Sequence, residues 1–371
     1  MLSKRANNIH FSSTIVDTHS DSLGRTVDGG EDLGQLTNSG HMDLPRMKTG
    51  NHTAQFFAAY VHPDFVAKGM AVQRVLKYTD AFRELVKKYP DQIEQAKTAS
   101  DVKRISNSGK LAGILCLEGG HAIVDDLSVL REYYELGIRY MTLTHNNSNN
   151  WADGVLDQPK HNGLTQFGKE IIEEMNNIGM MVDISHVSVK TFWDTLETVS
   201  KPVIASHSSC WAICQNPRNM NDDQLVAVSK NGGVVGINFE VTFIGQQRNI
   251  EESELNQQRS EELRDLEESG KLNPEIQKTL NDKYNSLVEK LDRPHYIEIV
   301  DHIDHAVQVA GIDHVGLGSD FDGCRLPEGM NDCTRMPLIT EELIKRDYSE
   351  KDIRKILGEN ILRVMEEVIG Q

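Results

Sequence analysis

The sequence predicts a (β/α)8 barrel, and three observations carry that prediction. Eight short apolar, β-branched runs recur along the 371 residues. Helical patterns fill most of the gaps between them. Most of the runs lack strict alternation of apolar and polar residues, as strands buried on both faces do. Strands alternating with helices build a parallel sheet, and at this length a closed TIM barrel. A doubly wound open sheet is the alternative class, but no glycine-rich phosphate loop follows the first run.

The predicted strands, in order, are 14–18 (TIVDT), 55–61 (QFFAAYV), 112–117 (AGILCL), 138–144 (IRYMTLT), 180–184 (MMVDI), 203–205 (VIA), 233–238 (GVVGIN) and 314–318 (HVGLG). Apolar residues at helical spacing mark 70–89, 127–136, 166–178, 189–199, 222–230 and 296–310. Two places break the rhythm. Residues 28–51 are rich in Gly, Asn, Thr and Asp and read as a long loop between the first two strands. Residues 245–293 carry 12 acids and 8 bases, with Pro274 near their middle. They read as a charged helical hairpin inserted between strands seven and eight on the barrel rim, more a solvated face than an interaction tail, placed where substrate loops gather and so either a lid on the pocket or a decoration of the rim. The stretch 340–371 predicts two or three packed helices, with Ser349 and Asp352 marking a start near Glu350. The expectation is one domain over 1–371.

Composition excludes several functions. With 39 Lys+Arg against 56 Asp+Glu the formal charge is −17, which opposes phosphate backbones and argues against nucleic acid. No apolar run is long enough to span a membrane, and no apolar stretch follows the two basic residues of MLSKRANNIHFSS. A soluble, cytoplasmic protein is expected. The five cysteines, an odd number, read as free buried thiols, and no zinc-finger spacing is present.

The informative polar residues sit where the predicted strands end, the rim on which barrel enzymes place their chemistry. The first strand ends in Asp17-Thr18-His19-Ser20-Asp21, and the third in Glu118. Strands four, five, six and eight run into His145, His186, His207 and Asp320. One such histidine is ordinary; six acidic or imidazole strand ends on one rim are a constellation. His-x-Asp presents two ligands on one face of an extended strand. Imidazole with carboxylate suits zinc or a similar divalent ion. His19, Asp21, Glu118, His186 and His207 are too many ligands for one tetrahedral site. With Glu118 bridging, two ions gain three protein ligands each, and a shared hydroxide completes both. That spacing points to a dinuclear hydrolase, with Asp320 as its proton shuttle. His302 and His305, at i and i+3 in 296–310, read as a helix-surface pair at the far end of the barrel.

The segments that hold these residues are VDTHSD, CLEGGHAI, YMTLTHNNSNNWAD, VDISHVS, SHSS, NPRN and GSDFDG. Together they resemble the membrane (renal) dipeptidase family of the amidohydrolase superfamily, over the chain from His19 onward apart from the 245–293 insert. GHMDLPRMKTG at 40–50 is similar to the bacterial version. The resemblance implies a zinc-dependent dipeptidase with tolerance of a D-residue at the C-terminal position. It implies two Zn2+, one on His19 and Asp21 and one on His186 and His207, with Glu118 between them. It further implies that His145 polarises the scissile carbonyl, that Arg218 binds the substrate's terminal carboxylate, and that Asp320 is the acid/base; Asp322 reads as structural. Members are commonly dimeric, so a homodimer is expected. The animal enzymes' membrane anchoring is not expected here. An N-acyl-amino-acid deacylase of the same superfamily is the alternative activity, since it too needs a carboxylate anchor. A metal-dependent nuclease is disfavoured by the charge, and a non-catalytic binding protein by the presence of every ligand and of Asp320.

Overall fold

The computed structural model describes residues 2–370. Its strands are β1 (Val16–Ser20), β2 (Ala54–Tyr60), β3 (Ile93–Gln95), β4 (Leu111–Glu118), β5 (Ile138–Thr142), β6 (Met181–Asp183), β7 (Ile204–Ser208), β8 (Val234–Ile237) and β9 (Val315–Leu317). All pairings between them are parallel, in the order β2-β1-β9-β8-β7-β6-β5-β4-β3, and β2 also pairs with β4. That last pairing closes eight strands into a TIM barrel. β3 lies outside the ring, on the flank of β4 at Leu111–Gly113, before β5 takes over that flank from Leu115. This ninth strand has only Ile93 as an apolar residue, so the search for apolar runs passes over it.

Local chemistry explains where the helices begin and end. Leu127–Leu136 starts at Asp126, whose side chain accepts from Ser128 N, and stops at left-handed Gly137. Gln166–Ile178 starts at Thr165, which accepts from Gly168 N, and stops at left-handed Gly179. The segment 28–51 is not wholly loop: Asp43 caps a helix over Leu44–Thr49 with a proline in its first turn. The insert is a hairpin of Gln246–Glu268 and Pro274–Glu289, the second helix capped by Asn273. Ser349 accepts from Asp352 N and begins Glu350–Arg354. The five cysteines are free.

The barrel interior is packed with Val16, Phe56, Ile114, Met181, Ile204 and Val234, joined by residues of the helix Asn360–Ile369. That helix lies across the strand starts: Arg363 donates to Gly232 O just before β8 and to Asp313 O just before β9. Each large apolar side chain so buried stabilises the fold by ~1.5–3 kcal/mol. Near the site end, Thr18 Oγ1 donates to both Ser206 O and Leu317 O, tying β1 to β7 and β9 across the ring. A Cβ at Gly318 would strike Ser206 O and Thr18 Oγ1, so glycine is required for this close approach. Its product is proximity: His19 and His207, the next residues after Thr18 and Ser206, have ring centroids 3.9 Å apart.

Candidate active site

β1 stops at Ser20, so Asp21 does not continue an extended strand as the His-x-Asp spacing implied. Asp21 stands at the N-cap of the helix Ser22–Gly29, yet its side chain caps nothing. The turn directs the carboxylate to His19 instead, with Oδ2 3.5 Å from Nε2. Glu118, the last residue of β4, divides its oxygens between two sides. Oε2 is 3.6 Å from His19 Nε2, while Oε1 is 3.0 Å from His186 Nε2 and 3.4 Å from His207 Nε2. Asp320 Oδ1 closes the first side at 4.0 Å from His19 Nε2. His19–Glu118–His207, Glu118–His145–His186 and His19–Asp21–Asp320 each bring three donor atoms within 4.8 Å of one another. His186 and Asp320 hold left-handed backbone (φ 67 and 61), a strain of the kind found at functional sites. At Gly323 a Cβ would collide with both Asp21 Oδ2 and Asp320 Oδ1.

Three side chains that the sequence reading did not single out orient the imidazoles. Tyr140 OH donates to Thr18 O at 2.9 Å, so at 2.7 Å it accepts from His19 Nδ1. Ser206 Oγ donates to Asp183 Oδ2 and accepts from His207 Nδ1, at 2.6 and 2.7 Å. Asn146 Oδ1 accepts from His186 Nδ1 at 2.9 Å. Every ring thus donates through Nδ1 and turns Nε2 toward Glu118, as the outer partners of metal-ligating histidines do.

This donor set fits metal ions. Burial, with Arg218 beside His186 and His19 beside His207, holds those two rings well below the usual imidazole range. Their neutral Nε2 atoms face each other at 2.7 Å, an arrangement that two lone pairs avoid unless a cation is shared. His19 Nε2 is buried without a hydrogen-bond partner. Burial opposes its charged form, but Glu118 and Asp21 outweigh burial and raise its pKa well above 6.5. Carboxylates that hold a proton so firmly there hold a divalent cation in its place.

The remaining predicted residues line one cavity of about 1400 Å³, shared by Asp21, Glu118, His145, Arg218 and Asp320. The His145 ring lies 4.6 Å from that of His186, and burial lowers its pKa, keeping it neutral. Burial and the Asp21 and Glu118 carboxylates push the Asp320 carboxyl well above its usual range; Asn238 Nδ2 donates to its Oδ2 at 3.2 Å. Arg218 is buried, lies over the Phe243 ring at 5.3 Å and donates to His207 O at 3.1 Å. Among the described residues no carboxylate comes within salt-bridge distance of it, and burial draws its pKa down to about 10. It is a charged donor without an anion. Asp322, read as structural, accepts from Arg25 Nη1 at 3.1 Å and from His41 N, pinning the 28–51 segment to the end of β9, and it also lines the cavity.

A further expectation changes. His302 is not on the helix surface: it is buried, accepts Cys210 N–H on Nδ1 at 3.0 Å and donates from Nε2 to Ile244 O at 3.1 Å. Those partners follow β7 and β8, so it braces loops on the site side of the barrel. Of the two placements open for the 245–293 insert, the structure favours the pocket over mere decoration of the rim, because Asn249, Glu252 and Ser253 line the cavity. Glu252 Oε1 and Glu240 Oε1 both accept from Arg325 Nη2, at 2.7 and 2.8 Å.

The family model for membrane dipeptidase, peptidase family M19, matches residues 3–370. The chain belongs to the membrane dipeptidase family. Dipeptidase verJ of Clonostachys rogersoniana is 35% identical over 339 residues, 88% of this chain and 76% of that protein. The probable dipeptidase PvdM of Pseudomonas aeruginosa has a TM-score of 0.84 at 25% identity, over 99% of this chain and 98% of that one. A metallo peptidase from Rhodobacter sphaeroides, liganded with a phosphinate mimic of the dipeptide L-Ala-D-Ala, has a TM-score of 0.78 at 25% identity, over 96% and 99%. This family member is a metallo-dipeptidase whose substrate is a small peptide. Among its described residues no helix is long and apolar enough to cross a membrane.

Proposed function

We propose that the chain is a binuclear zinc dipeptidase that hydrolyses dipeptides, including L-Xaa-D-Xaa. The observation that carries the reading is the division of Glu118 between His19 on one side and His186 with His207 on the other. His19 and Asp21 would hold one ion, His186 and His207 the second, and Glu118 both. Imidazole and carboxylate donors suit zinc. Such a pair of ions, when bound, supplies a water acidic enough to react at neutral pH and polarisation of the scissile carbonyl.

The protein's own groups do the rest. Arg218, charged and without a carboxylate partner, receives the substrate's terminal carboxylate in a bidentate pair. That contact sets which bond lies beside Glu118. The neutral His145 donates a hydrogen bond to the carbonyl oxygen as negative charge grows on it. Asp320 takes the proton of the attacking water and delivers it to the leaving amine. Its raised proton affinity favours the first half of that transfer, and Asn238 holds the carboxylate in place. Inclusion of a D-residue in the second position is supported by the L-Ala-D-Ala mimic bound to the Rhodobacter sphaeroides relative.

The test is a dipeptide-library assay, with L-Xaa-L-Xaa beside L-Xaa-D-Xaa, with added zinc and with a chelator. Zinc-dependent release of amino acids from both series is expected. Activity on L,L substrates alone removes the D-residue part of the reading. Silence across the library in a protein carrying two metal equivalents overturns it, in favour of N-acyl amino acids.

A further inference from the structure

The insert enters the fold just after β8, and the first turns of its helix Gln246–Glu268 meet the loop that carries Arg218. Gln246 Oε1 accepts Gln215 N–H at 2.7 Å. Asn249 Oδ1 accepts from Asn216 Nδ2 at 2.9 Å, and Asn249 Nδ2 donates to Gln215 O at 3.3 Å. Asn216 Oδ1 in turn accepts the backbone N–H of Arg218 at 3.0 Å. Asn249 and Asn216 are each only 9% exposed, so water does not replace these bonds at little cost. The order of the amide atoms matters. With its NH2 held by Asn249 Oδ1 and Thr242 O, Asn216 has only its oxygen left to face Arg218 N–H. Turned over, it would set donor against donor.

The guanidinium has little of its own to hold it. It makes one hydrogen bond, to His207 O, rests over Phe243, and leaves Nε without a partner. Its direction therefore follows from the backbone of its loop, which Asn219 ties to Cys214 O and Phe243 O on one side of Arg218 and the insert holds through Asn216 on the other.

We propose that Asn249 is a positioning residue for substrate binding, acting through Asn216 to aim Arg218 into the cavity. A hairpin whose composition reads as solvated charge thereby sets the affinity for the substrate's terminal carboxylate. The inference rests on the reading of Arg218 as the carboxylate anchor.

The experiment compares the full-length enzyme with Asn249→Ala, Gln246→Ala and Arg218→Ala, each on a good dipeptide and on its C-terminal amide. KM and kcat are read for both compounds, or Ki for the amide where it is not turned over, and metal content is checked against wild type. Asn249→Ala is expected to raise KM for the dipeptide about 5- to 20-fold, the loss of one or two buried hydrogen bonds. Its kcat should change less than about twofold, and the amide and the metal content should be unaffected. Gln246→Ala should move the same ratio in the same direction by less, and it decides the matter if Asn249→Ala does not fold. Equal effects on dipeptide and amide in the insert variants, or none, overturn the positioning role while Arg218→Ala still separates the two compounds. Failure of Arg218→Ala to separate them overturns the anchor itself.

Discussion

At the scale of single residues, the proposed function divides the site into groups that hold ions and groups that handle substrate and protons, and substitutions should separate them. Asp320→Asn keeps the shape of the side chain but not its proton chemistry. It should retain the full metal complement by elemental analysis and lose about 10²- to 10⁴-fold in kcat, the usual worth of a general acid/base. Metal loss in that variant would make Asp320 a ligand instead. His186→Ala removes an Nε2 that lies 3.0 Å from Glu118 and should cost about one of the two metal equivalents; retention of both would refute the ligand assignment. Much of this site was legible in the sequence, because metal chemistry restricts ligands to a few residue types and barrels deliver them at strand ends. Tyr140, Asn146, Ser206 and Asn238 were not. Each acts by a hydrogen bond to a site residue, and nothing in a tyrosine, a serine or an asparagine at those positions distinguishes that work from core packing.

The elements were readable where their signals were strong. Helices 127–136 and 166–178 carry a capping side chain at one end and a left-handed glycine at the other, and the structure keeps both sets of bounds. β3 escaped notice because three residues with one apolar member carry no periodicity. The placement of Asp21 was misjudged for a related reason: His19-x-Asp21 has the spacing of one face of an extended strand, and only the following helix turns Asp21. β7 runs on to Ser208, so His207 is a strand residue rather than one beyond the strand. The close approach of β1, β7 and β9 makes its own prediction. Gly318→Ala would place a methyl group against Ser206 O and Thr18 Oγ1, backbone and short side chain with no room to yield. We expect a loss of about 1–3 kcal/mol or more in denaturant unfolding, the range for overpacking, with reduced metal affinity because His19 and His207 flank the contact. A wild-type midpoint would contradict the account of this glycine.

At the scale of the whole molecule, buried neutral histidines tie stability to pH. His302 and His10 are both fully buried, and burial lowers each to about 4. His302 accepts the Cys210 N–H on Nδ1 and donates from Nε2 to Ile244 O, so a second proton on its ring has no acceptor waiting. The unfolded chain binds that proton near 6.5 and the folded chain only near 4. Stability from these groups is therefore complete above about pH 6.5, declines as pH falls toward 4, and is level below it, by up to about 3 kcal/mol per histidine. Melting temperature followed from pH 7 to pH 4 should fall, and His302→Gln, which keeps a donor and an acceptor, should flatten the decline. An unchanged slope would assign the pH dependence to other groups.

The buried guanidinium of Arg218 has a consequence for the enzyme at work. A cation desolvated in advance, with no carboxylate in salt-bridge contact among the described residues, loses little more hydration when an anion arrives, so the cavity is disposed toward small carboxylates in general. With Arg218 as the proposed anchor, cleavage of a dipeptide releases an amino acid that still bears the anchored carboxylate. Slowing of the enzyme by its own product as hydrolysis proceeds is therefore expected, read as a falling rate when the free C-terminal amino acid is added at the start. By the same linkage the folded chain melts at a higher temperature in the presence of free amino acids than in their absence.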